Sequence, residues 1–82
     1  MVSVKLSPHQ IRVLDHMAKL TKKKGFAFIR PGEIANCMGS TSKRVEGTLL
    51  RMKKKGVVEN VGYGAWRITE LGWRVLHELG YE

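Results

Sequence analysis

Apolar residues recur along this chain at helical spacing in four separate stretches, and turn chemistry fills the gaps between them. In the first stretch Ile11, Leu14 and Ala18 share one helical face, with Val13, Met17 and Leu20 widening the stripe. Ser7 stands ahead of it as an N-cap, Pro8 takes the first helical position, and Gln10 closes a capping box. This predicts a helix over residues 8–23, stopped by Gly25. Phe26-Ala27-Phe28-Ile29 is a short run rich in β formers and reads as a brief strand before Arg30. Pro31 then opens a second helix over residues 31–38, with Ile34, Ala35 and Met38 facing inward, Glu33 in its first turn, and Gly39 ending it.

Ser40-Thr41-Ser42 supplies a turn and the N-cap of a third helix over residues 42–55, with Thr41 preferred as cap and Ser42 the alternative. Val45, Leu49 and Met52 form its apolar seam, and Gly56 ends it. Ser42, Lys43, Arg44, Gly47, Thr48, Arg51 and Lys55 are left facing elsewhere, so that side is cationic and small-hydroxyl in character. Val57-Val58-Glu59 and Ala65–Thr69 read as two strands of a hairpin over residues 57–69, joined by Asn60–Gly64. Trp66 and Ile68 share its core side, while Arg67 points out. Thr69 caps a fourth helix over residues 70–79, whose core stripe is expected from Leu71, Val75 and Leu79. Trp73, Leu76 and Tyr81 are expected partly outside that core, as a surface for a second copy of the chain. With 82 residues and no repeat, low-complexity tract or linker, residues 1–82 are expected to form one mostly helical α+β domain.

Charge changes this picture from a fold to a kind of partner. Fifteen Lys and Arg against seven Asp and Glu give a net charge of +8 and a pI near 10.1. Through Gly56 there are thirteen basic and three acidic residues, a net of +10; from Val57 onward two basic residues face four acids, a net of −2. Such a surplus, concentrated in one half, points to a polyanion or an anionic surface as partner. No apolar run approaches the eighteen or so residues that span a bilayer, and MVSVKLSPHQ lacks the pattern of a signal peptide. Lys22, Lys23 and Lys24 suit the dipole at the end of the first helix, with phosphate contact as the alternative.

A single cysteine implies a reducing, intracellular setting, with Cys37 either a small apolar filler or a bridge between two chains. His9, His16 and His77 have no partners at metal-ligand spacing, Cys37 has no recognisable base, and no glycine loop cradles phosphate. No enzyme activity, cofactor, metal or small-molecule ligand is therefore expected.

The order helix, short strand, helix, turn, helix, hairpin, helix resembles a winged helix-turn-helix domain. Its phrasing is similar to small prokaryotic and archaeal transcription regulators, and those of their viruses, of the multiple-antibiotic-resistance-regulator-like group. The matching positions are Ile34-Ala35, Gly39, Thr41, Val45, Leu49, Met52 and Gly56, then Ile68-Thr69-Glu70-Leu71-Gly72 after the hairpin. The chain departs from the pattern in three places. Ser40 replaces an apolar residue after the turn glycine, Arg30 stands where a capping Ser or Thr is common, and the Gly62-Tyr63-Gly64 tip carries no cation.

The resemblance implies sequence-specific binding of double-stranded DNA by a homodimeric regulator in a prokaryotic cytoplasm, with the third helix in the major groove. Lys43 and Arg44 are then expected at base edges, Arg44 as the better fork for guanine. Gly47 would permit close approach and Thr48 would meet a thymine methyl or a phosphate. Thr41, Ser42, Arg51, Lys55 and Arg30 complete the expected surface, with Tyr63 or Arg67 touching phosphate or sugar from the hairpin. The alternatives are a winged helix that docks protein or RNA, which exposed Leu50 and the uncharged tip favour, and a non-specific architectural DNA binder.

Overall fold

The chain runs α1 (Pro8–Lys24), α2 (Pro31–Met38), α3 (Ser42–Lys54), β1 (Val58–Gly62), β2 (Ala65–Ile68) and α4 (Glu70–Glu78) in a computed structural model that describes residues 4–25 and 28–81. Three helices, an antiparallel hairpin and a closing helix make a mostly helical α+β fold with a winged-helix layout.

Local chemistry sets the helix ends. Ser7 Oγ accepts from the Gln10 N–H at 3.2 Å while Gln10 Oε1 accepts from the Ser7 N–H at 3.1 Å, a reciprocal capping box. At the start of α2 no capping hydroxyl is present. Instead Glu33 reaches back, Oε2 accepting from the Arg30 N–H at 2.9 Å and Oε1 pairing with Lys24 Nζ at 2.5 Å. Lys24 also donates to the Phe28 carbonyl at 3.1 Å, so it ties the end of α1 to the start of α2.

The expected strand at residues 26–29 lies partly outside the described residues, since Phe26 and Ala27 are not described. Its described end is a single antiparallel bridge. Ile29 donates to the Trp66 carbonyl at 2.9 Å and accepts from the Trp66 N–H at 2.7 Å. That bridge fastens the hairpin to the helical layer.

Val13, Leu14 and Met17 of α1, Ile34 of α2, and Val45, Leu49 and Met52 of α3 are fully buried together with Ile29, Val57 and Leu76. Leu76 therefore belongs to the core and is unavailable to a second copy, contrary to expectation. Leu79 is 47% exposed, the reverse of its expected place. The inward face of α4 is Gly72, Val75 and Leu76, spaced three and four apart, and the helix ends at Glu78 before Leu79 can join it. Trp73 is half-buried at the edge of the core and Tyr81 is about half exposed. Cys37 is exposed on α2, so it is not a core filler.

The hairpin turns more tightly than the five-residue loop read from sequence. Tyr63 and Gly64 alone join the strands, with φ of +51° and +73°. Two successive positive φ values match a hairpin turn whose twist suits the flanking strands. Asn60 pairs with Trp66 but Gly62 pairs with Ala65, which leaves Val61 as the extra residue of a bulge.

Candidate nucleic-acid interface

Thr41 Oγ1 accepts from the Arg44 N–H at 3.3 Å, which makes Thr41 the N-cap of α3 and starts the helix at Ser42. Burial of Val45, Leu49 and Met52 then fixes what the opposite side presents. At 3.6 residues per turn, the middle of the outward face falls on Lys43, Gly47, Leu50 and Lys54. Arg44 and Arg51 lie along one flank of that ridge; Ser42, Glu46 and Lys53 lie along the other.

Each flank borders a groove. On the α1 side, His9 and Ser40 face Lys43, Arg44, Gly47, Thr48 and Arg51 across a shallow groove of about 570 Å³. On the hairpin side, Ser42, Glu46, Leu50 and Lys53 face Arg30, Asn60 and Tyr63 across a groove of about 480 Å³. The expected contact residues are thus divided. Lys43, Arg44, Gly47 and Arg51 share one groove, while Ser42, Arg30 and Tyr63 border the other.

Among the described residues, the charges on α3 take part in no ion pair. Among the described residues Asp15 pairs with Lys19 at 3.1 Å, Glu33 with Lys24 at 2.5 Å, Glu59 with Arg67, and Glu70 with Arg74 at 3.4 Å. None of these cations belongs to α3. Lys43, Arg44, Arg51, Lys53 and Lys54 are exposed and make no ion pair among the described residues. Glu46, the one acid on α3, is exposed and unpaired as well. Hydrogen bonding from Lys24, supported by the Arg30 backbone, holds the Glu33 carboxyl below its ordinary pKa despite the opposing effect of burial.

Gly47 has no atom of a neighbouring element within 4 Å of where a Cβ would stand. Glycine inside a helix costs about 1 kcal/mol relative to alanine. No intramolecular contact in this fold requires that cost.

Four expected contacts take other roles. Thr48 is 5% exposed; its hydroxyl donates to the Arg44 carbonyl at 3.2 Å and faces His9 Nε2 at 3.1 Å. It supports the groove from beneath. Lys55 Nζ donates to the Lys5 carbonyl at 2.6 Å and to Gln10 Oε1 at 2.8 Å, which clamps the end of α3 to the N-terminal segment. Arg67 is neutralised by Glu59 on the outer side of the hairpin. Thr41 is occupied as a cap. By contrast Tyr63 is 98% exposed at the hairpin tip.

Sequence reasoning left Glu46 and His9 out of this surface and assigned Leu50 to a rival reading; of Lys53, Lys54 and Lys55 it expected at most one or two to reach the DNA backbone, with the helix dipole as the competing account. Leu50 was findable, because it follows Lys43 by seven and Gly47 by three and so continues the same stripe. His9 was not, since it arrives from α1, thirty-nine residues from its partner Thr48.

Among the described residues, no group of three or more His, Cys, Asp or Glu side chains is placed to hold a metal ion. No described helix is long and apolar enough to cross a membrane. The sequence matches no protein-family profile and no curated protein.

Proposed function

We propose that this chain binds double-stranded DNA by seating the outward face of α3 in the major groove, in the manner of the multiple-antibiotic-resistance-regulator-like transcription regulators it resembles. The observation that carries this reading is the set of unpaired cations on α3, in a fold whose described ion pairs all lie on other elements. Free cations on one face form a counterpart to a phosphate backbone, and a helix is the element the major groove admits. The bare position at Gly47 supports close approach of the helix axis to base edges.

In this arrangement Arg44 and Arg51 meet one backbone strand, and Arg30 with Lys53 meets the other. The hairpin adds little charge, since Arg67 is paired and the tip is tyrosine; Tyr63 offers a hydroxyl to phosphate or sugar. Two copies pair through the apolar surface around the end of α4, where Leu79 is exposed beside Val4, Leu6 and Ile11 and Tyr81 is exposed two residues on, so that both α3 helices engage one site. Sedimentation at micromolar concentration checks the pairing.

Gel shifts with random duplex, single-stranded DNA and structured RNA at one salt concentration test the reading. Duplex is expected to bind most tightly. Equal or stronger retention of RNA favours the rival docking role to which exposed Leu50 lends weight.

A further inference from the structure

Glu46 and Leu50 are the two exposed side chains of α3 that are neither cationic nor hydroxyl-bearing, and they are helical neighbours four residues apart. We infer that this pair reads base identity, selecting duplex sites with a C·G pair beside a thymine. The inference rests on the DNA-binding reading and names the class of site.

The Glu46 carboxylate has no hydrogen-bond or ion-pair partner among the described residues, and the cation nearest in helical register is Lys43, three residues before it. Its neighbours at four residues either way are Ser42 and Leu50, and it makes no ion pair among the described residues. It also lies past the first turn of α3, beyond most of the benefit of the helix dipole. On a face that meets phosphates, an unpaired carboxylate weakens binding to every sequence. A carboxylate accepts hydrogen bonds only, and in the major groove cytosine N4 presents a donor with no acceptor beside it on the same base. Adenine presents N6 next to the acceptor N7, which repels a carboxylate.

Leu50 is 49% exposed on the outward ridge, and the thymine methyl is the apolar feature that the major groove offers. Four residues span about 6 Å along a helix axis, less than two base steps of about 3.4 Å each, so the two side chains are spaced for base pairs no more than two steps apart. Cations hold the helix in the groove; the acid and the leucine discriminate.

The test recovers bound fragments from a random duplex pool with the wild type, Glu46→Gln and Leu50→Ala, then measures affinity for the selected site and for random duplex at one salt concentration. The wild-type pool is expected to carry a C·G pair with a thymine within two steps. Glu46→Gln is expected to bind random duplex more tightly, lose the cytosine preference, and drop in discrimination by about 5- to 150-fold. Leu50→Ala is expected to lose the thymine position and keep the cytosine. An unchanged cytosine preference, or weaker random-duplex binding, in Glu46→Gln overturns the role of Glu46 and leaves DNA binding standing. An unchanged thymine in Leu50→Ala overturns the role of Leu50. Absence of duplex binding by the wild type overturns both the inference and the reading beneath it. Both positions are exposed, and unchanged melting temperatures separate these outcomes from misfolding.

Discussion

His9 Nε2 lies 3.1 Å from Thr48 Oγ1, and the Thr48 hydroxyl donates its only proton to the Arg44 carbonyl at 3.2 Å. While the Thr48 hydroxyl donates to that carbonyl, its oxygen accepts from a protonated His9 Nε2, a contact that joins α1 to α3. Thr48 lines the floor of the cationic groove and is almost fully buried there. Thr48→Val is expected to destabilise the fold by about 1 kcal/mol through loss of both hydrogen bonds, as read by urea unfolding. The recovered DNA sequences should stay the same; a changed base preference would return Thr48 to the contact surface.

Lys55 and Lys43 look alike in the sequence and do different work. Lys55 is committed to the Lys5 carbonyl and Gln10 Oε1, whereas Lys43 has no partner among the described residues. Lys55→Ala is expected to lower the unfolding free energy by about 1 kcal/mol and leave the salt dependence of DNA affinity unchanged. Lys43→Ala or Arg51→Ala should do the reverse, each reducing the slope of log affinity against log salt by about 1 with little change in stability.

Gly72 packs directly on the entry to the hairpin. A Cβ there would overlap the Val57 carbonyl oxygen and the Ile68 side chain. Because one of the obstacles is backbone, side-chain rotation cannot relieve the overlap, and α4 must move away from β1. Gly72→Ala is expected to cost about 1–3 kcal/mol or more in thermal or urea unfolding. At Gly47 nothing stands within 4 Å, so Gly47→Ala should stabilise the free protein by about 0.5–1 kcal/mol while weakening duplex binding.

The helix ends and the inner seam of α3 were legible because each rests on a local rule. Ser7 with Gln10, Thr41 and Thr69 cap as their residue types predict, and Val45, Leu49 and Met52 repeat at the helical period. What was not legible depends on partners distant in sequence. Thr48 turns inward because Arg44 and His9 satisfy its hydroxyl, and Lys55 is taken by the N-terminal segment. The exchange of Leu76 for Leu79 follows from where α4 stops. At the hairpin, a bulge at Val61 and positive φ at Tyr63 shorten a loop that two glycines made look longer. The division of the outward residues of α3 between two grooves could be seen only once α1 and the hairpin stood on either side of it.

The Glu33 carboxylate gives the fold an acid-sensitive latch. Its pKa is lowered chiefly by the hydrogen bond from Lys24, so its stabilising contribution is present above the ordinary carboxylate range and is lost as pH falls through the lowered folded value. The pair is partly exposed and is worth about 0.2–1 kcal/mol. Glu33→Gln should therefore be less stable than the wild type at about pH 7, and the difference should shrink toward about pH 3. Urea unfolding at both pH values checks this; a gap that widens in acid would contradict it.

Contact between the unpaired cations of α3 and a phosphate backbone is read by duplex DNA affinity as a function of salt, for the wild type and for a variant with Lys43, Arg44 and Arg51 replaced by alanine. A dimer making about six to ten phosphate contacts should lose about 10³ to 10⁵ in affinity between about 50 and 200 mM salt. The variant should show a markedly shallower slope. A flat wild-type response, or an equal slope in the variant, would contradict the account.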